Sequence, residues 1–233
     1  MTTGRAGQWR SECGFALFMT LGLGVMLSAM AIGLLFATAT DVQIAAAFRN
    51  GFEARWAAEA GAHRAAVELA SLPDWNLVLD GTVRSAFVDG PAGGLRTVRG
   101  AGPLDLDYVR TLADCGHPPP CSDAERDLST LQRPWGGNNP RWQLFAYAPL
   151  DDLLPPGAAR SPYYVVVLAA DDPAESDGNP ARDEASPAPG AGVLRLRSEA
   201  FGPAGAHRVV ELIVARPGAL VPALRLLGWR VSS

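Results

Sequence analysis

The chain has 233 residues and a net charge of −4, with 48% hydrophobic and 19% charged residues. That balance excludes a disordered or collagenous chain over most of its length and leaves room for one modest globular domain beside an anchor. Every basic residue is an arginine and they form no concentrated patch, so nucleic-acid binding has no electrostatic footprint.

Residues 1–14 form a short polar leader. Behind it, Phe15 to Thr40 is an uncharged stretch of 26 residues, about 39 Å long as a helix. It exceeds the roughly 30 Å hydrocarbon core of a bilayer. It is also longer than the apolar core of about 7–15 residues in a signal peptide. Arg5 and Arg10 precede the stretch and Asp41 follows it, so the positive-inside rule predicts a cytoplasmic N-terminus with the bulk of the chain outside. Gly24/Ser28 and Ala29/Gly33 have the small-xxx-small spacing that lets helices approach closely. A rival processing site exists at Ala37-Thr38-Ala39, where cleavage would release a soluble exported binding protein or enzyme.

Helical periodicity continues from Asp41 to Leu72 and stops at Pro73, which predicts one helix from Phe15 to Leu72, about 87 Å long. Ile44, Phe48, Phe52 and Trp56 recur at steps of four and are expected to pack this helix on a sheet. Arg49/Glu53 and Arg64/Glu68 are placed for i,i+4 ion pairs.

Beyond Pro73 the segment of about 73–140 is irregular. Strands are predicted at Trp142–Ala148, Tyr163–Ala169, Val193–Ser198 and Arg208–Ala215. The second is apolar throughout, as a strand buried on both faces should be, and the third alternates like an edge or one-face-wet strand. FGPAGAH, from Phe201 to His207, reads as the turn joining the last two. One long helix plus an antiparallel, meander-like sheet gives an α+β fold.

Cys115 and Cys121 are expected to form a disulfide in an oxidising compartment, against a zinc site that would add only His117 as a third ligand. The loop 171–192 is acidic and rich in Pro and Gly. Part of it brushes the calcium-loop pattern, but Pro173 stands where the first ligand belongs. The reading that remains is an irregular Ca2+ site on Asp172, Asp177, Asn179 and Asp183, set against a solvated acidic loop. No other cofactor is indicated. His63, His117 and His207 have no nucleophile or metal motif around them, so no enzymatic role is expected.

Several of these segments carry a resemblance. The leader, Gly14-Phe15, the long apolar helix and the run Ala57, Ala58, Glu59, Ala60, Gly61 together resemble the N-terminal region of PilX-type minor pilins. Gly192 to Arg216 is similar to the sheet hairpin of that group, and Pro222 to Arg230 to its tail. The resemblance implies a pilin-like fold and cleavage after Gly14 by a prepilin peptidase, which would also methylate Phe15. It implies a single-pass inner-membrane protein with its C-terminal domain in the periplasm, reaching the pilus surface after assembly. Its partners would be membrane lipid and other pilins, met through the N-terminal helix, and its role initiation or assembly of a type IV pilus. Major pilins carry a glutamate at the fifth mature position, where this chain has Met19. That departure favours a minor or tip subunit, because a buried N-terminal amine below it would lack its counter-charge. Tip pseudopilins of type II secretion share the departure but usually carry a much larger helical insertion.

Overall fold

The computed structural model describes residues 9–126, 139, 141–154, 157, 160–175, 178–183, 191–216 and 224–232. It divides into one unit up to Phe48 and another from Arg49 onward. Helix α1 (Trp9–Ser71) contributes to both.

In the first unit every residue from Gly14 to Phe48 is exposed. The helix is long and apolar enough to cross a membrane by length and composition, a test that a signal sequence in this position also passes. Its hydroxyls fit that environment. Thr20, Thr38 and Thr40 each donate to a carbonyl three or four residues back, so none demands a partner outside the helix.

The second unit is a helix on an antiparallel sheet, an α+β arrangement. Five strands lie in sequence order: β3 (Gln143–Pro149), β4 (Tyr164–Asp171), β5 (Val193–Phe201), β6 (His207–Ala215) and β7 (Arg225–Ser232). Four stand where alternation and apolar runs predicted them. The fifth, β7, lies in the tail that was matched only by resemblance.

Strand β4 is buried along its whole length because each face meets a different partner. Val165, Val167 and Ala169 join the C-terminal part of α1 and helix α2 (Asn76–Leu79) in one core. Tyr164, Val166, Leu168 and Ala170 join a second core with Val98, Leu106 and Val109. That second cover is the segment read as irregular. It holds a hairpin of β1 (Leu95–Val98) and β2 (Gly102–Asp105), then helix α3 (Leu106–Cys115). Helix α3 has ordinary start and stop signals. The Asp105 side chain accepts from the Asp107 N–H, and Gly116 turns left-handed at φ 73° while its N–H bonds the Leu112 carbonyl.

Both ends of the assembly are tied. Residues 85–89 run beside β3 and exchange backbone hydrogen bonds with Phe145 and Tyr147, which covers that sheet edge. At the end of α1, Arg216 donates to the carbonyls of Leu72 and Pro73 and stacks over Trp75 at 4.5 Å. No basic residue occupies the last turn of α1 itself, so Arg216 supplies the cation that the helix C-terminus favours.

Strand β5 is the central strand, wet on one face rather than at an edge. Its wet face carries a ladder of charges across three strands. Arg197, Glu211 and Arg230 are in register on β5, β6 and β7. Arg197 bonds Glu211 at 3.0 Å and Arg230 bonds it at 2.7 Å. Arg197 also donates to Glu199 at 2.6 Å, and His207 Nε2 lies 2.8 Å from the other Glu199 oxygen.

Glu199 is buried, and burial by itself would raise its carboxyl. The hydrogen bond from His207 and the charge of Arg197 outweigh that and hold it below the ordinary value of 4.5. A carboxyl lowered on folding contributes stability that is present above 4.5 and is lost as pH falls through the folded value. The unfolding free energy, followed by denaturant titration, is therefore expected to fall as pH drops below 4.5, and Glu199→Gln to remove part of that slope. An unchanged slope in Glu199→Gln would contradict the assignment.

Candidate functional site

The sequence points to three places: the helix face on the sheet, the cysteine loop and the acidic loop. Within the second unit, the helix face that meets the sheet consists of Ala54, Ala57, Ala58, Gly61, Ala62 and Ala65, followed by Leu69. Their spacing of i, i+3, i+4, i+7, i+8, i+11 is one continuous face of an α-helix. All are small because the backbones approach closely. A Cβ added at Gly61 would lie 2.3 Å from Val165 Cγ1 and 2.9 Å from Ser198 Oγ.

This corrects the expectation for the bulky stripe. Ile44 and Phe48 are exposed in the first unit, and Phe52 and Trp56 are 52% and 57% exposed in the second. The two rings meet edge to face at 5.9 Å. Large side chains cannot enter a gap that a single methyl group overfills, so the alanine face goes inward and the aromatic face outward.

The run Ala58, Glu59, Ala60, Gly61 divides accordingly. Ala58 and Gly61 face the sheet, Ala60 is exposed, and Glu59 is buried while accepting from Arg55 at 2.8 Å. The expected pairs Arg49–Glu53 and Arg64–Glu68 also form. In all three the arginine precedes the glutamate, the weaker of the two orders. The hydroxyl of Tyr163 donates to the Asn50 carbonyl at 2.9 Å, fixing the helix against the start of β4.

Cys115, the last residue of α3, and Cys121 lie at disulfide distance, with Cα atoms 6.2 Å apart. His117 has its Nδ1 2.8 Å from the Pro118 carbonyl and its Nε2 4.0 Å from Glu125. The other histidines have neighbours as well: His63 lies against Trp229, and His207 is stacked on Phe201 and bonded to Glu199.

The acidic loop differs from its expected ligand set. Asp177 lies outside the described residues. Asp172 and Asn179 accept local bonds from the N–H groups of Ala174 and Ala181, and Asp172 is not among the carboxylates that converge. Asp183 instead converges with Asp171 and Glu175, one carboxylate oxygen from each lying within 4.8 Å of the others. Asp171 and Glu175 are 1% and 0% exposed. Burial, and then the Glu175 carboxylate beside it, push Asp171 up to about 8. Asp183 is held from two directions, its N–H donating to the Asn76 side chain at 2.8 Å and its carboxylate accepting from Gly192 N.

Gly14 and Phe15, the expected processing point, lie on the exposed apolar part of α1. Compared with protein-family models, with curated proteins and with solved structures, the chain matches none.

Two stability measurements on the detergent-solubilised chain test this geometry. Gly61→Ala is expected to lower the unfolding free energy by about 1–3 kcal/mol, although alanine favours a helix by about 1 kcal/mol. Gly51→Ala serves as control: its new methyl meets only the flexible Arg208 guanidinium and should be neutral or mildly stabilising. In the same assay Leu69→Ala should cost about 2–5 kcal/mol, and Phe52→Ala and Trp56→Ala each under about 1 kcal/mol. Equal losses at Trp56 and Leu69 would mean that the aromatic face is the packed one.

Proposed function

We propose that this chain is a minor pilin, processed by a prepilin peptidase and acting in the initiation or assembly of a type IV pilus. The observation that carries the reading is the order of parts along the sequence: a polar leader with Arg5 and Arg10, the Gly14-Phe15 junction, and then an exposed apolar helix. That helix continues in sequence into the alanine-faced segment that packs on an antiparallel sheet. An apolar helix that stays attached to the folded domain serves as an anchor and as an assembly element, whereas a cleaved signal serves neither. The exposed aromatic face at Phe52 and Trp56 suits the same role, since it leaves large apolar side chains for neighbouring subunits. Met19, in place of the expected acidic residue, favours a minor or tip position over the filament body.

A tip pseudopilin of type II secretion is the nearest rival. The segment between α1 and β3 speaks for the pilus reading. Its described helices are α2, α3 and the short stretch 123–126, beside one hairpin, which together make no large helical insertion among the described residues.

The mature N-terminus tests the proposal. Protein expressed with a prepilin peptidase and analysed by N-terminal sequencing and intact mass should begin at N-methyl-Phe15, and Gly14→Val should retain the leader. A mature chain beginning at Thr40 would make this an exported soluble protein and end the pilin reading.

A further inference from the structure

We infer that Asp171, Glu175 and Asp183 form a Ca2+ site that fastens the acidic loop to the end of β4. The three carboxylates come from separate pieces of chain: the last residue of β4, the turn after it and the loop beyond. Three ligand oxygens within 4.8 Å of one another match a single ion. Two oxygens each 2.3–2.6 Å from one Ca2+ lie at most about 5 Å apart. Mg2+ demands near-ideal octahedral geometry and is usually held by one or two carboxylates with several waters, so a set of three carboxylates suits Ca2+. An all-oxygen donor set is hard, which separates it from zinc.

A second observation is independent of that clustering. Asp171 is 1% exposed and its Oδ2 meets no hydrogen-bond donor, although its Oδ1 accepts from Asp172 N at 2.9 Å. A carboxylate oxygen removed from water without a donor is costly, and a cation between the carboxylates supplies the positive charge that two ionised neighbours cannot give each other. The site is also braced from outside. The Asp183 backbone is bonded to Asn76 of α2, which packs against β3 and β4. Filling the site would therefore join the loop, the strand end and α2.

The test uses the full chain in detergent, stripped with a chelator and titrated with CaCl2. Calorimetry should report binding, and Ca2+ at about a hundred times its Kd should raise Tm by about 5 °C or more. Mg2+ at the same concentration should raise it less. Asp171→Asn and Glu175→Gln should abolish the response. Asp183→Asn, at a less buried position, provides the same readout if the buried variants do not fold. Absence of heat and of any Tm change up to about 5 mM Ca2+, the weak end of protein calcium sites, would overturn the inference. So would a Ca2+ response that survives in any folded variant. A rise in Tm on Asp171→Asn with a calcium-insensitive parent would show instead that the carboxyls share a proton.

Discussion

The close approach of α1 to β4 at Gly61 sets the terms for the rest of the second unit. With Val165 Cγ1 only 2.3 Å from where a Cβ would stand, the interface has no room for side chains beyond a methyl group nearby. That constraint selects alanine at Ala54, Ala57, Ala58, Ala62 and Ala65, and α1 and the residues after it bring large side chains into the same core at Leu69 and Trp75. A face of alanines buries less apolar area per residue than one of leucines. The deficit is offset where the helix stops: the Trp75 indole donates to the Leu69 carbonyl at 3.0 Å, and Arg216 covers the carbonyls that follow.

The same approach explains what the sheet does with its other face. Covering one side with a single helix leaves β4 apolar on both faces, so a second cover is required there. The hairpin β1–β2 and helix α3 provide it. They meet β5 at Phe201, and farther along the sheet charged side chains take over much of that face. Arg195, Arg197, Glu199, Glu211 and Arg230 stand where β4 has valines and leucines, joined by ion pairs, with Arg197, Glu211 and Arg230 in register across three strands. The boundary between an apolar cover and a charge ladder falls between adjacent strands of one sheet.

Much of this was legible in the residues. The length of α1, its stop before Pro73, the continuous burial of β4 and the turn at FGPAGAH follow from periodicity and from glycine and proline punctuation. The helix face was misread because weight was given to large apolar residues. Ile44, Phe48, Phe52 and Trp56 make the stronger hydrophobic stripe, yet the helix packs through its smallest residues. Only the partner's distance decides between the two, and that is a tertiary fact. The recurrence of Ala and Gly at i, i+3, i+4 and i+7 from Ala54 was the available signal. Helix α3 was missed for another reason. At ten residues it is too short to build up periodicity, although Asp105 and Gly116 mark its ends.

The acidic loop shows how composition and position differ as guides to a site. Counting oxygen-bearing residues picks out Asp172 and Asn179, which accept local backbone bonds. The residues that converge with Asp183 are the two with least access to water. Asp171 closes an apolar run, Tyr163 to Ala170, whose strand is buried on both faces. A carboxylate in that register is carried inside by the strand whatever its own preference. Glu175 follows four residues later, after a turn that brings the chain back on itself through the Glu175 N–H to Asp172 carbonyl bond. An acidic residue in register with a buried strand has to be compensated, whereas one in a loop can simply face the solvent. The place to look for a ligand was therefore the charged end of the most apolar strand and not the most acidic stretch of the loop.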